Sequence, residues 1–254
     1  MITLLSPSKK LNFKHQDAVS YFTQCDFIES AQKLVNEAKN LSHEDLKDLM
    51  KISDNLAQLN KDRFDEWSQP FNQDNSKQAI LAFDGGVYSG LSAHEFSEND
   101  LDFAQNHLRI LSGLYGILKP LDLIQPYRLE MGINLRNEKG KNLYEFWSSD
   151  ITKNLNDTLK EQKNPIILNC ASNEYFNVID KNALEGKVLN TIFKEKRNGE
   201  LKFISFNAKK ARGLLAKFVI NNGIDSKEGV KEFNLEDYKF DSKISEENTF
   251  VFTR

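Results

Sequence analysis

LSGLYGILKPLD at residues 111–122 and QPYRLEMG at residues 125–132 form the stretch of this 254-residue chain that most constrains its fold. Between positions 111 and 132 lie three of the twelve glycines and two of the five prolines. Glycine adopts backbone conformations that other residues avoid, and proline fixes its own φ angle. A segment rich in both therefore holds a defined backbone shape.

The first half of this stretch follows a predicted helix from Ser97 to Leu111, which opens with a serine and an aspartate in capping-box spacing. A helix that runs into Gly113 and Gly116 resembles a helix-hairpin-helix, whose glycine-rich turn offers backbone N–H groups to DNA phosphates. The usual turn has one apolar residue between its glycines, whereas this one has two. The motif alone is therefore weak.

The second half of the stretch places Arg128 two residues before Glu130. In an extended segment both side chains point to the same side. A guanidinium can bind a carboxylate or a phosphate through two hydrogen bonds. Glu130 is then either the structural partner of Arg128 or, if buried, a general acid or base.

Hydrophobic periodicity over the rest of the chain predicts one mixed α/β domain over residues 1–254, with a mixed sheet flanked by helices. An Asn-Gly pair between apolar runs predicts a hairpin at Arg197 to Glu200. The predicted strands are Met1 to Leu5, Ala79 to Phe83, Pro165 to Leu168, Val188 to Phe193, Leu201 to Phe206 and Thr249 to Phe252, and the helices are Phe27 to Lys39, Leu41 to Ile52, Ser53 to Trp67, Ser97 to Leu111, Leu143 to Leu159 and Asn207 to Asn221.

The composition is that of an ordinary globular protein, with 39% hydrophobic and 28% charged residues. No apolar run reaches the roughly 20 residues of a membrane span, and no signal-peptide pattern is present. Cys25 and Cys170 form neither a disulfide framework nor a metal-binding spacing. We therefore expect a cytoplasmic protein with reduced thiols that does not bind membranes.

The net charge of −3 conceals a basic segment at residues 194–217, which has eight cations and two acids. Lys209, Lys210 and Arg212 lie in the first turns of the helix predicted from Asn207 to Asn221. Cations at a helix amino terminus oppose the helix dipole, so their placement indicates a bound anion. The alternative is a solvated basic face.

Three predicted strands end in loops of small and polar residues. In open α/β sheets, ligands bind beyond the carboxyl ends of the strands. If these strands are parallel neighbours, Lys9, Tyr88 and the segment Ser172 to Glu174 converge on one crevice. The alternative is that the loops are ordinary turns.

Other combinations of reactive residues do not form recognisable sites. His15, His43, His94 and His107 lack metal-ligand spacing, so no metal site is expected. Cys170 follows a strand, but no histidine lies nearby in sequence, and a buried structural role is favoured over that of a nucleophile.

Taken together, these motifs resemble the bacterial YaaA family of peroxide-stress proteins along nearly the whole chain. The chain departs from that pattern at Ser8, Lys10, Gly86 and Cys170. The residues that carry the resemblance are Ser6-Pro7-x-Lys9, Phe83-x-Gly85-x-Val87-Tyr88-x-Gly90-Leu91, the run from Leu111 to Gly132, Asn169-x-Ala171-Ser172-x-Glu174-Tyr175-Phe176 and Lys209-Lys210-Ala211-Arg212-Gly213.

The resemblance implies a fold particular to the family and a role in restraining free iron and DNA damage under hydrogen peroxide, with no agreed reaction or cofactor. It also implies duplex DNA binding through a helix-hairpin-helix-like element, here at Phe103 to Leu121. For DNA or anion binding we expect Gly113, Gly116, Lys119, Lys209, Lys210 and Arg212.

The alternative hypothesis is an enzyme that acts on a small anionic or phosphorylated substrate in a crevice lined by lysine and arginine. This hypothesis predicts an enclosed pocket and names no reaction. Its candidate catalytic residues are Lys9, Tyr88, Arg128, Glu130 and Glu174.

Overall fold

A mixed β-sheet organises the chain in the computed structural model, which describes residues 1–14, 19 and 21–254. The main sheet has eight strands, and two short antiparallel pairs, β2–β4 and β3–β7, lie outside it. The strands are β1 Ile2–Leu5, β2 Lys10–Leu11, β3 Lys77–Gln78, β4 Phe83–Asp84, β5 Leu108–Ser112, β6 Gly116–Leu118, β7 Leu123–Ile124, β8 Ile166–Asn169, β9 Lys187–Arg197, β10 Glu200–Lys202, β11 Lys239–Phe240 and β12 Thr249–Thr253.

The strand order of the main sheet is β11-β12-β9-β8-β1-β5-β6, with β10 paired to β9. The five central strands are parallel, and β11, β6 and β10 add antiparallel pairs. From β1 the chain first adds β5 on one side and later adds β8, β9 and β12 on the other. The order therefore reverses at β1, and such a switch point opens a crevice at the carboxyl ends of the strands.

The helices surround this sheet, and several begin at the signals expected from the sequence. Ser42 and Ser97 each form a capping box with an aspartate three residues later. The helices are α1 Ile28–Lys39, α2 His43–Met50, α3 Asp54–Glu66, α4 Ala79–Ala82, α5 Gly86–Leu91, α6 Glu98–His107, α7 Leu143–Lys160, α8 Asn173–Phe176, α9 Ser205–Asn221 and α10 Lys227–Lys231.

Most predicted elements are confirmed, but the strand predicted from Leu201 to Phe206 ends at Lys202, because α9 begins at Ser205. The strand predicted from Ala79 to Phe83 is wrong. Residues Ala79–Ala82 form one helical turn, and only Phe83–Asp84 is extended. The whole turn is buried, so its continuous apolar run has neither the period of a helix nor that of a strand. Backbone N–H groups of Ala79 and Ile80 donate to Asp122 and Pro120 carbonyls, both at 2.9 Å, which anchors the turn.

The helix predicted from Ser97 to Leu111 ends earlier, at His107. Residues Leu108–Ser112 instead form β5, which lies beside β1 in the sheet and is buried throughout. Arg109 obscured this strand because it interrupts the apolar run. It is nevertheless 8% exposed, and its guanidinium donates to backbone carbonyls of Gln105 and Leu108 at 2.9 and 2.8 Å.

The helix-hairpin-helix-like element expected from Phe103 to Leu121 is not confirmed, because the residues that follow its first helix form a β-hairpin of β5 and β6. Gly113 and Gly116 are both buried. A Cβ added at Gly113 would lie 2.1 Å from the Leu129 carbonyl oxygen, and one at Gly116 would lie 2.8 Å from the Trp147 ring. These glycines therefore permit close packing inside the protein.

The end of the chain after β12 is held by the carboxylate of Glu195 on β9, a buried side chain that is 4% exposed. It accepts hydrogen bonds from Arg254, Asn207, Tyr238 and Arg197. Burial acts to raise the pKa of Glu195, but these donors outweigh burial and lower the pKa to about 2.

The buried apolar side chains form one cluster that includes residues from β1, β5, β8, β9 and β12 and from most helices. Within the described residues, no helix has both the length and the apolar character needed to cross a membrane.

Candidate functional site

A cavity of about 380 Å³ lies where the chain leaves the carboxyl ends of β1 and β8. Ser6 and Ser172 connect the two strand-end loops, because the Ser172 N–H donates to Ser6 Oγ at 2.8 Å. Tyr88 Oη adds a hydrogen bond to the Ser6 carbonyl at 3.1 Å. The cavity is lined by Ser6, Pro7, Ser8, Lys9, Lys10, Gly86, Val87, Cys170, Ser172, Glu174, Tyr175, Lys209 and Arg212.

The wall opposite these loops is made by α5 and α9, which cross at close range. A Cβ at Gly90 would lie 2.2 Å from the Lys210 carbonyl oxygen, and one at Gly213 would lie 1.8 Å from that of Val87. No side chain larger than hydrogen fits at either crossing position. Glycine inside a helix is unfavourable by roughly 1 kcal/mol relative to alanine, so the pair indicates a required close approach. This approach places Lys209 and Arg212 in the cavity wall.

Two of the four cations in this cavity already have carboxylate partners. Lys9 Nζ lies 2.9 Å from Glu130 Oε1, and Lys10 Nζ lies 2.6 Å from Asp84 Oδ2. Lys209 is exposed and forms no ion pair with any residue that the structure describes. The charge balance of the cavity is therefore positive.

Arg212 is the most unusual cation of the cavity wall. Its Nε is buried and has no hydrogen-bond partner among the described residues. Burial lowers the pKa of the Arg212 guanidinium, and the nearby Cys170 thiol opposes this shift without cancelling it. A buried donor without a partner is unfavourable by about 1–3 kcal/mol, and more when charged. An anion in the cavity would supply both the charge and the hydrogen-bond acceptor.

A second cavity, of about 510 Å³, adjoins the first and shares Lys9 and Glu174 with it. Glu130 lines this second cavity and is 6% exposed. Its Oε1 accepts from Arg128 at 3.1 and 3.3 Å, whereas its buried Oε2 has no partner within the described part of the chain. Burial acts to raise the pKa of Glu130, but hydrogen bonds from Lys9 and Arg128 keep the pKa below its usual value.

The predicted catalytic residues are brought together only in part. Lys9 and Glu174 line both cavities, and Glu130 lines the second. Arg128 lies behind Glu130 as its ion-pair partner. Tyr88 is 6% exposed, and its hydroxyl is used to hold the Ser6 loop. Burial raises the pKa of Tyr88, so the phenol stays protonated.

The predicted DNA or anion ligands are dispersed. Lys119 pairs with Asp26 at 2.7 Å, and Lys210 pairs with Glu236. Neither lysine lines the cationic cavity. Of this set, only Lys209 and Arg212 contribute to it.

Sequence reasoning missed Gly86 and Tyr175 as cavity-lining residues and Asp48 in the second cavity. The available signal was Gly213 inside the helix predicted from Asn207 to Asn221, because a glycine within a helix indicates close backbone approach.

Cys170 lines the cationic cavity but is 1% exposed. Burial raises the pKa of its thiol to about 12, so the sulfur is protonated and a poor nucleophile. The preference for a structural role over a nucleophilic one is thus supported.

The histidines do not add a metal site to the candidate region. His15 lies outside the described residues. His43 lies near Glu44 and Asp54, but Lys47 Nζ is 3.5 Å from Glu44 and 3.1 Å from Asp54. Lys47 therefore already serves as a counterion to both carboxylates of this group, which lies outside the two cavities.

The largest of the other cavities described, of about 730 Å³, lies around Leu41, Leu49 and Leu135. None of its lining residues has a buried polar side-chain atom without a partner. The cationic cavity is the stronger candidate for a ligand site.

Fold and cavity together define an α/β protein with a cationic cavity at the switch point of its sheet. Comparison with known proteins is more specific: the family model described as "Peroxide stress protein YaaA" matches residues 1–244. A "UPF0246 protein" of Colwellia psychrerythraea is 49% identical over 254 residues, which cover 100% of this chain and 99% of the relative. A "UPF0246 protein" of Cellvibrio japonicus is 46% identical over 254 residues, which cover 100% of this chain and 98% of the relative. The chain therefore belongs to the peroxide stress protein YaaA family, as its motifs predicted.

Proposed function

We propose that this protein acts in peroxide-stress protection in the bacterial cytoplasm by binding a small phosphorylated ligand in the cationic cavity. The family supports the physiological role. The observation that supports the ligand is Arg212, whose buried Nε has no partner in the part of the chain described. Without an anion this residue places an uncompensated charge in the protein wall.

The charge of the cavity favours a doubly charged anion. After Lys9 and Lys10 pair with their carboxylates, Lys209 and Arg212 contribute two positive charges, and the one carboxylate in the lining, Glu174, is shared with the second cavity. A phosphate monoester has a charge of about −1.5 to −2 at pH 7, and its oxygens accept hydrogen bonds in the fork geometry of arginine. A monocarboxylate neutralises only one of the two cations.

Isothermal titration with inorganic phosphate tests this assignment. We expect saturable binding to the wild-type protein and a loss of at least about tenfold in affinity for Arg212→Gln, because a charge-assisted hydrogen bond is removed. Arg136→Gln provides the matched control, since Arg136 is an exposed arginine that lies outside the cationic cavity. Equal affinities for all three proteins would refute the assignment.

The pH dependence of the same titration distinguishes a dianion from a monoanion. The second pKa of a phosphate monoester is about 6, so binding is expected to strengthen as the pH rises from about 5 to 7. A flat profile in that range would contradict selection for the dianion.

A cellular test links the cavity to the physiological role. A bacterial strain that lacks its own family member is complemented with the wild-type gene, Arg212→Gln or Arg136→Gln and then exposed to hydrogen peroxide. We expect Arg212→Gln alone to fail at wild-type protein levels. Chelatable iron and DNA strand breaks, measured in the same cultures, test whether iron and DNA damage are restrained as the resemblance implies.

Duplex DNA binding is the second candidate function, and the exposed surface beside α9 favours it. Phe203 and Phe206 are 56% and 76% exposed, and they lie between the lysines at positions 202 and 209. Cations that contact phosphates release counterions, so affinity for a DNA duplex is expected to fall steeply with salt. Absence of binding at low salt, or binding that is insensitive to salt, would rule out this candidate.

A further inference from the structure

The second cavity has the opposite electrostatic character to the cationic cavity that it adjoins. Asp48, Glu130 and Glu174 supply three carboxylates, against the ammonium groups of Lys9 and Lys51. Lys9 and Arg128 both pair with Glu130, and among the lining residues Asp48 and Glu174 face the one further cation, Lys51. The two adjoining cavities, which share Lys9 and Glu174 in their linings, thus form a positive end and a negative end.

The buried oxygen of Glu130 indicates that the negative end also accepts a ligand. Glu130 is 6% exposed, and its Oε2 lacks a hydrogen-bond donor among the described residues. Hydrogen bonds from Lys9 and Arg128 keep the carboxylate ionised through its other oxygen, Oε1. A buried carboxylate oxygen without a donor resembles the unpartnered Arg212 Nε but has the opposite requirement. It accepts a hydrogen bond from a cationic or other N–H-bearing group.

We propose that the ligand is a zwitterion, a phosphate monoester with a protonated amine at its other end. The phosphate binds Lys209 and Arg212, and the ammonium group binds among Asp48, Glu130 and Glu174. Lys9 and Glu174 line both cavities and so mark the passage between the two ends. This inference rests on the proposed function, because the phosphate subsite determines which end of the ligand enters the cationic cavity.

Two series of synthetic ligands separate the contributions of the two ends. ω-Aminoalkyl phosphates with chains of two to six carbons are compared by titration with n-alkyl phosphates of the same lengths. The quantity of interest is the affinity ratio of amine to alkyl ligand at each length. We expect a ratio of at least about ten at the length that spans the two cavities, which is typical of a charge-assisted hydrogen bond.

Variants locate the source of that ratio. Glu174→Gln and Asp48→Asn each remove one carboxylate from the negative end and should bring the ratio toward one. Glu66→Gln is the matched control, because Glu66 is an exposed carboxylate on α3 that lines neither cavity. Circular dichroism verifies that each variant is folded, and the exposed Asp48 provides an independent variant if Glu174→Gln does not fold.

Each outcome has a distinct meaning. A length-dependent ratio that the two carboxylate variants abolish and Glu66→Gln retains supports the zwitterion. Equal binding of the two series overturns it, while the phosphate site remains supported. A ratio that persists in both variants also overturns it, because the amine then binds elsewhere. If neither series binds, the proposed function fails as well.

Discussion

Replacing Arg212 with methionine should stabilise the protein when no phosphate is present and abolish its response to phosphate. Methionine has a similar length and fills irregular apolar space, but it has no charge and no donor that requires a partner. In the wild-type protein, the buried Nε of Arg212 lacks an acceptor among the described residues, and burial lowers the pKa of the guanidinium. The substitution therefore removes an unfavourable group.

The expected magnitude follows from the burial of that group. Leaving a buried donor without a partner is unfavourable by about 1–3 kcal/mol. Since methionine also loses some of the contacts of the guanidinium plane, we expect a net gain of about 1–2 kcal/mol in the free energy of unfolding. For a chain of this size, this corresponds to a rise in Tm of about 2–8 °C.

Urea unfolding with and without phosphate measures both effects. At a phosphate concentration ten times Kd, ligand binding should stabilise the wild-type protein by about 1.4 kcal/mol and Arg212→Met by nothing measurable. Arg136→Met, at an exposed arginine, should change the free energy of unfolding by less than about 0.5 kcal/mol and retain the phosphate response. A destabilised Arg212→Met with an unchanged phosphate response would refute the reasoning.

Three further predictions concern the stability of the protein in acid, the close packing at Gly113 and the reactivity of the Cys170 thiol. Because the pKa of Glu195 is lowered to about 2, its contribution to stability is complete above pH about 4.5 and is lost as the pH falls toward 2. Acid titration of the unfolding free energy should show a loss of about 3 kcal/mol in that range, and Glu195→Gln should lack that component. Gly113→Ala should lower the free energy of unfolding by about 3 kcal/mol or more, because the new Cβ would lie 2.1 Å from the Leu129 carbonyl oxygen. Gly199→Ala is the control, since Gly199 has φ +84° but no atom within 4 Å of an added Cβ, and it should lose only about 1 kcal/mol. Urea unfolding measures both values. Finally, the thiol of Cys170 should resist alkylation in the native protein, and Cys170→Ala should complement peroxide sensitivity fully; rapid native-state alkylation would contradict the raised pKa.

The sequence predicted the parts of the fold that have a clear local signal. Ser97 starts its helix with the expected capping box. The Asn-Gly pair forms the predicted hairpin, with both Asn198 and Gly199 at positive φ. These features depend on interactions between residues close in the chain, so the sequence alone is sufficient to locate them.

The errors occurred where tertiary contacts decide the structure. The apolar run from Ala79 is buried on all sides and therefore lacks a diagnostic period. Leu108 to Leu111 continues the apolar spacing of the preceding helix, but this segment becomes a strand because β1 lies beside it. The sequence could not reveal that neighbour.

The candidate site was predicted in part for the same reason. The strand-end rule located Lys9 and Glu174, because it depends only on the order of strands and loops. The basic start of α9 indicated Lys209 and Arg212, but also Lys210, which pairs with Glu236 instead. Which cation faces a cavity depends on the rotation of the helix, and here the close crossing with α5 determines that rotation.

A crystal structure of the protein grown with inorganic phosphate tests the central claim most directly. The account predicts phosphate in the cationic cavity, with one oxygen within about 3.2 Å of Arg212 Nε and another near Lys209 Nζ. Phosphate found only at lysines outside this cavity, with Arg212 Nε bonded to a protein group instead, would contradict it.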